Sequence, residues 1–105
     1  MKTFQENLAC LPVTDNIALL ELLDGSGNVI AVIENKSGSQ GSLRVYRHLA
    51  DKHGAITPEA AQEGLALYAE HTEDARANPG KHPNIDRLFA VIERGGGLSA
   101  RVIPA

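Results

Sequence analysis

Tryptophan is missing from the sequence, and its aromatic residues are only Phe4, Tyr46, Tyr68 and Phe89. That scarcity removes most of the ring surface on which single-strand nucleic-acid binders stack bases. The net charge of −3 has the wrong sign for a surface built to neutralise a phosphate backbone, so nucleic acid is not an expected partner. The lone cysteine, Cys10, cannot close an intramolecular disulfide. This excludes the stapled framework of small secreted domains and points to a reducing compartment. No apolar run approaches the roughly 18 residues that a membrane span needs. Gln5, Glu6 and Asn7 interrupt any apolar stretch of an export signal. A cytoplasmic location without membrane contact is the expectation.

What is present suffices for a core. Over 105 residues, 43% are hydrophobic and 22% charged, which suits one domain over 1–105 with an aliphatic interior. Thr3 to Leu11 reads as a short helix, with Thr3 and Glu6 in capping-box spacing and Pro12 ending it. The stretch "NIALLELLDGSGNVIAVIEN" has two runs rich in Ile, Leu and Val flanking Asp24-Gly25-Ser26-Gly27-Asn28, the pattern of a β-hairpin. Ile17, Leu19 and Leu23 fall on one face of the first strand, and Ala18, Leu20 and Leu22 on the other. Both faces are thus apolar, so helices must cover one and a further element or a second copy the other.

From Ser42 the period fits a strand or a helix, and the helix is favoured, with Ser42 as N-cap and Gly54 as its stop. Thr57-Pro58-Glu59 opens a second helix that runs through Ala61, Leu65, Tyr68 and Ala75 to Asn78-Pro79-Gly80. A third starts near Asn84 and sets Ile85, Leu88, Phe89 and Ile92 on one face before the glycines at 95–97. "LSARVI" alternates as a last strand that pairs with the hairpin. The predicted fold is α+β: a small antiparallel or mixed sheet, made of the hairpin and the C-terminal strand, with three to four helices packed on it.

Chemistry-bearing patterns are few. Between Lys36 and His53 four basic residues (Lys36, Arg44, Arg47, Lys52) face one acid, Asp51, a local charge of +3 in an acidic chain. A Gly/Ser loop leading into a helix offers backbone N–H groups and a positive helix end to an anion. The candidate anion-binding set is Lys36, Ser37, Gly38, Ser39, Gln40, Gly41, Ser42, Arg44, Arg47 and His48. It is not a Walker loop, because Lys36-Ser37 opens the glycine run instead of closing it. The competing reading is a connector whose basic residues pair with the acidic helix from Glu59 to Asp74. A second candidate cluster is His82, Asn84 and Asp86, with His82 and Asp86 as an acid/base pair. His48 and His53, five apart, diverge by about 140° on a helix. His71 with Asp74 has usable ligand spacing, and "KHPNID" could bring His82 and Asp86 nearby, but two ligands do not make a site. No metal and no cofactor is expected. Cys10 is expected to be buried against Leu8 and Leu11 as an inert apolar residue, and no GxSxG elbow occurs.

The stretches "ENKSGSQGSLRVYRHLADKHGAI", "EGLALYAEHTEDARANPGKHPNIDRL" and "SARVIPA" resemble, over nearly the whole chain, a small bacterial family catalogued as a domain of unknown function (number 2322). The resemblance implies a compact bacterial protein of the cytosol with no assigned activity, and it supplies no catalytic residue.

Two functional expectations follow. The first is a non-catalytic interaction or binding domain that forms a homodimer through its hairpin. The alternative is a protein, or a small enzyme, that takes a phosphate or carboxylate ligand on the Gly/Ser loop at 36–42 and the basic segment after it. The two candidate clusters form one site only where a common pocket joins them.

Overall fold

Local signals place most elements of the computed structural model, which describes residues 2–105. Helix α1 (Phe4–Ala9) begins with a complete capping box: the Thr3 hydroxyl accepts from the Glu6 N–H at 3.2 Å and the Glu6 carboxylate accepts from the Thr3 N–H at 3.0 Å. Strands β1 (Ile17–Leu23) and β2 (Val29–Glu34) form the hairpin. Its turn is held by the Asp24 carboxylate, which accepts from the N–H groups of Ser26 and Asn28. Strand β3 (Ser99–Pro104) pairs with the other edge of β1, giving a wholly antiparallel sheet in the order β2-β1-β3.

The pleat sorts the apolar residues of β1. Leu20 and Leu22, with their cross-strand partners Ile33, Ala31, Val102 and Ala100, face the helices; Leu20 and Leu22 are completely buried. Leu19, Glu21 and Leu23 lie on the opposite face, where Arg101 pairs with Glu21 at 2.6 Å. That outer face has no covering helix, and Val29, Ile30 and Val32 are 44–50% exposed.

Helix α2 (Gln40–His53) lies against all three strands and buries Leu43, Val45, Tyr46 and Leu49. The expected N-cap at Ser42 is displaced: the helix starts at Gln40, Ser39 is the cap residue, and Ser42 sits in the first turn. Ser39 fills that position without capping, because its hydroxyl donates back to the Glu34 carbonyl at 2.6 Å. Gly54 ends α2 in the left-handed region at φ +79.

The stretch expected as one helix from Thr57 to Ala77 is two. Helix α3 (Pro58–Tyr68) is capped by Thr57 as predicted, but the chain breaks at Ala69 (φ 52, ψ −118) before α4 (Glu70–Ala77). Helix α5 (Pro83–Arg94) follows, ending at Gly95. The count is therefore five helices, not three or four. The break has a tertiary cause: Tyr68 is buried beneath Phe4 with its hydroxyl on Ser42, and Thr72 donates to the Leu65 carbonyl, folding α4 back. Helix α3 packs on both α2 and α5, and Gly64 makes the approach close. A β-carbon there would stand 2.7 Å from Leu88 Cδ1 and 2.9 Å from Leu49 Cδ1. Among the described residues no helix is long and apolar enough to cross a membrane.

Candidate functional site

A cleft of about 640 Å³ opens between the loop that leads into α2 and the segment that leads into α5. Ser37, Gly38, Gln40, Gly41 and Ser42 line one side; Lys81, His82, Pro83, Asn84 and Ile85 line another, and Phe4, Tyr68 and His71 also border it. The sequence clusters at 36–48 and 82–86 thus share a pocket in part, although more than thirty residues separate them.

Two helix N-termini meet here. In α2 the N–H groups of Gly41 and Ser42 have no acceptor among the described residues, no side chain caps the helix, and its first turn has no acid. In α5 the Asn84 N–H is likewise unpaired, and His82, the cap residue, makes no capping bond. Unpaired first-turn amides and aligned peptide dipoles make such termini attractive to negative charge. Asp86, the acid of the α5 first turn, accepts from the Gly80 N–H at 2.9 Å instead of reaching His82. The expected His82/Asp86 pair is therefore not formed.

The partner of His82 is Asp74: Nε2 lies 2.6 Å from Oδ2, and Lys81 Nζ lies 2.8 Å from the same oxygen. The hydrogen bond from Lys81, joined by that from His82, holds the Asp74 carboxyl down at about 2. His71 stands edge-on to Phe4, 5.1 Å between ring centres, and 5.8 Å from the His82 ring. No hydrogen bond ties its ring nitrogens within the described residues. Phe4 stacks on Tyr68 at 5.2 Å. The Tyr68 hydroxyl, its ionisation pushed far up by burial, donates to Ser42 Oγ at 2.7 Å, which leaves the Ser42 proton free to donate elsewhere.

Thr14 also lines the cleft, 5% exposed, and its hydroxyl has no partner among the described residues; its carbonyl accepts from Asn35 Nδ2 at 3.0 Å. No buried side-chain polar atom among the described residues lacks a hydrogen-bond partner, so the Thr14 hydroxyl is a group that solvent reaches. Asp15 is the one carboxylate among the lining residues.

The basic half of the predicted anion set is spread out. Lys36 pairs with Glu34 at 3.3 Å and does not line the cleft. Arg44 borders the cleft, but its guanidinium donates to the carbonyls of Leu8 (2.7 Å), Leu11 (2.7 Å) and Pro12 (3.3 Å), closing off the end of α1. Arg47 pairs with Asp51, and His48 with Glu63; both line a separate groove of about 250 Å³. Glu63 also takes Lys52 at 2.9 Å and His53 at 3.1 Å, and the Lys52 hydrogen bond foremost draws it down to about 2. Among the described residues no group of three or more His, Cys, Asp or Glu is placed to hold a metal ion. Cys10 is exposed, not buried, because it caps α1 on the solvent side.

Sequence reasoning overlooked Thr14, Asn35, Phe4 and Tyr68, which carry no linear signal. His71, Asp74 and Lys81 stand in stretches singled out only for metal spacing. No solved structure matches the chain. The family model described as an uncharacterized protein conserved in bacteria (DUF2322) matches residues 4–102, and the chain belongs to that family.

Proposed function

We propose that the protein binds a small anionic ligand in the cleft between α2 and α5. The observation that carries this reading is the convergence of two helix N-termini with unpaired first-turn amides on one cavity. His71, Lys81 and His82 stand around it. A helix terminus contributes about 0.3–2 kcal/mol to a nearby anion, depending on burial. Each hydrogen bond to a charged group adds about 1.5–3 kcal/mol. A few such bonds correspond to dissociation constants between roughly millimolar and micromolar. The lone thiol of Cys10 fits residence in the reducing cytoplasm, where small phosphorylated and carboxylated metabolites abound.

The test is thermal unfolding with inorganic phosphate, on the native chain and on Ser42→Asp. The substitution places a tethered carboxylate in the first turn of α2, where a ligand's charge would sit. The native midpoint is expected to rise with phosphate. The variant is expected to start higher and to respond at least tenfold more weakly. An unchanged response in the variant sinks this reading.

A second reading concerns the hairpin. The helices cover the inner sheet face, while β2 leaves an edge of unpaired backbone groups with Val29, Ile30 and Val32 exposed beside it. Such an edge suits antiparallel pairing with a second copy of the chain. A two-fold axis through Val32 would bring Lys36 to the Asp24–Asn28 turn of the second copy, opposing unlike charges. Sedimentation at about 50 μM, a scale for moderate affinity, should give a dimer that Val32→Lys dissociates; a native monomer ends this reading.

A further inference from the structure

We infer that His82 is a phosphoryl acceptor, whose Nδ1 takes a phosphoryl group from a phosphoramidate donor in the cleft between α2 and α5. This rests on the cleft being the anion site proposed above and adds a covalent step to it.

The setting of the His82 ring carries the inference. Its Nε2 lies 2.6 Å from Asp74 Oδ2, an oxygen that also takes Lys81 Nζ at 2.8 Å. An ionised carboxylate can only accept, so the single proton of the neutral ring stands on Nε2 and the lone pair on Nδ1. Nδ1 has no hydrogen-bond partner among the described residues: His82 is the cap residue of α5 but makes no capping bond, and its side chain bonds only the Asp74 carboxylate. Since no buried side-chain nitrogen or oxygen among the described residues lacks a partner, Nδ1 is open to solvent. The residue itself lines the cleft. One ring nitrogen is thus fixed by an acid and the other is free, the arrangement that prepares an imidazole to act as a nucleophile.

Charge selects what the ring takes. Attack by Nδ1 turns the ring into a cation, substituted on one nitrogen and protonated on the other. The Asp74 carboxylate against Nε2–H offsets that cation, so Asp74 is a positioning residue. The group carried on Nδ1 sits where α5 begins, the helix end whose dipole favours negative charge. His48 and His53 also contact a carboxylate, both on Glu63, but they lie outside the cleft. His53 stands in the last turn of α2, where the dipole disfavours an anion.

The step is a phosphoryl transfer in which nothing is oxidised or reduced. The Nδ1 lone pair attacks phosphorus and an N–P bond forms. The donor's own P–N bond breaks, and its nitrogen, already protonated, departs with the electron pair as a neutral amine. Such a donor needs no acid from the protein, whereas an alkoxide leaving group would, and the Nε2 proton stays against Asp74.

The experiment incubates the full chain with potassium phosphoramidate and follows it by intact mass spectrometry and by phosphorus NMR, which separates the two phosphohistidine isomers. His82→Gln, Asp74→Ala and His53→Gln are run in parallel, each checked for folding by its thermal midpoint. The native chain is expected to gain one phosphoryl group, on Nδ1 of His82, about tenfold or more faster than N-acetylhistidine does. His82→Gln should lose the label and His53→Gln keep it. Asp74→Ala should slow labelling about tenfold and yield both ring isomers, because Nε2 is then free; a merely structural role for Asp74 would leave the isomer unchanged. Label on another histidine, a mixture of isomers in the native chain, or a rate no faster than the small molecule's overturns the inference. If inorganic phosphate still stabilises that chain, the anion site stands. Label on His82 in a chain that phosphate does not stabilise removes the anion site alone.

Discussion

At the scale of single residues, Thr14 and Arg44 illustrate how polar groups divide between those the fold uses and those it leaves open. Arg44 is spent on the fold: its donors meet the carbonyl of Leu8 in the last turn of α1 and those of Leu11 and Pro12 just beyond it, and a helix C-terminus must place its free carbonyls somewhere. Thr14 is the reverse: the residue is 5% exposed, yet its hydroxyl has no partner among the described residues and is open to solvent. Thr14→Val keeps the shape and removes only the oxygen. Since no internal hydrogen bond is lost, the ligand-free midpoint should stay within about 0.5 kcal/mol of native or rise. Phosphate affinity should fall about tenfold, the worth of one hydrogen bond to a charged acceptor. Parallel unfolding and titration of the variant check this, and equal affinity would remove Thr14 from the site. Neither placement was readable from sequence, because Thr14 reaches the cleft and Arg44 reaches α1 through contacts that only the folded chain makes.

At the scale of elements, what was legible is what is locally encoded. The Asp24–Asn28 turn, the Thr57-Pro58 start and the stops at Gly54 and Gly95 each follow from backbone chemistry within a few residues, and each stands where the sequence puts it. The break at Ala69 does not, since alanine is the strongest helix former and nothing in "LALYAEHTED" announces a turn. It is imposed by the burial of Tyr68 and the Thr72 bond to Leu65. The break also redirects α4 so that His71 and Asp74 reach His82, whereas Arg47 and His48 of the expected anion-binding set line a separate groove. An alanine at φ 52 and ψ −118 occupies a region that costs a side chain about 1–3 kcal/mol. Glycine relieves that strain but adds about 0.4–1 kcal/mol of unfolded-chain entropy. Ala69→Gly is therefore expected to raise stability by about 1 kcal/mol in urea unfolding. A loss of stability would mean that the break is unstrained in solution.

Across the whole molecule, the helices are laced by two carboxylates that each gather several bases. Glu63 of α3 takes Lys52, His53 and His48 of α2, and Asp74 of α4 takes Lys81 and His82 at the entrance to α5. Both are held at about 2, below the ordinary carboxylate value near 4.5 for Glu63 and 3.8 for Asp74. A carboxyl whose folded value is depressed stabilises the fold fully above its unfolded value and loses that contribution as pH falls toward the folded one. The acid-sensitive window is thus about pH 4.5 down to 2, and in it both ties loosen together. Because Glu63 is partly solvated, its share is about 1–2 kcal/mol, less than a fully desolvated pair would give. Glu63→Gln removes the charge and keeps a hydrogen-bonding group of the same size. The native chain should exceed the variant by that amount in urea unfolding at pH 7, and the gap should close by pH 2. A gap that persists at pH 2 would assign the stabilisation to packing of the Glu63 side chain and not to its charge.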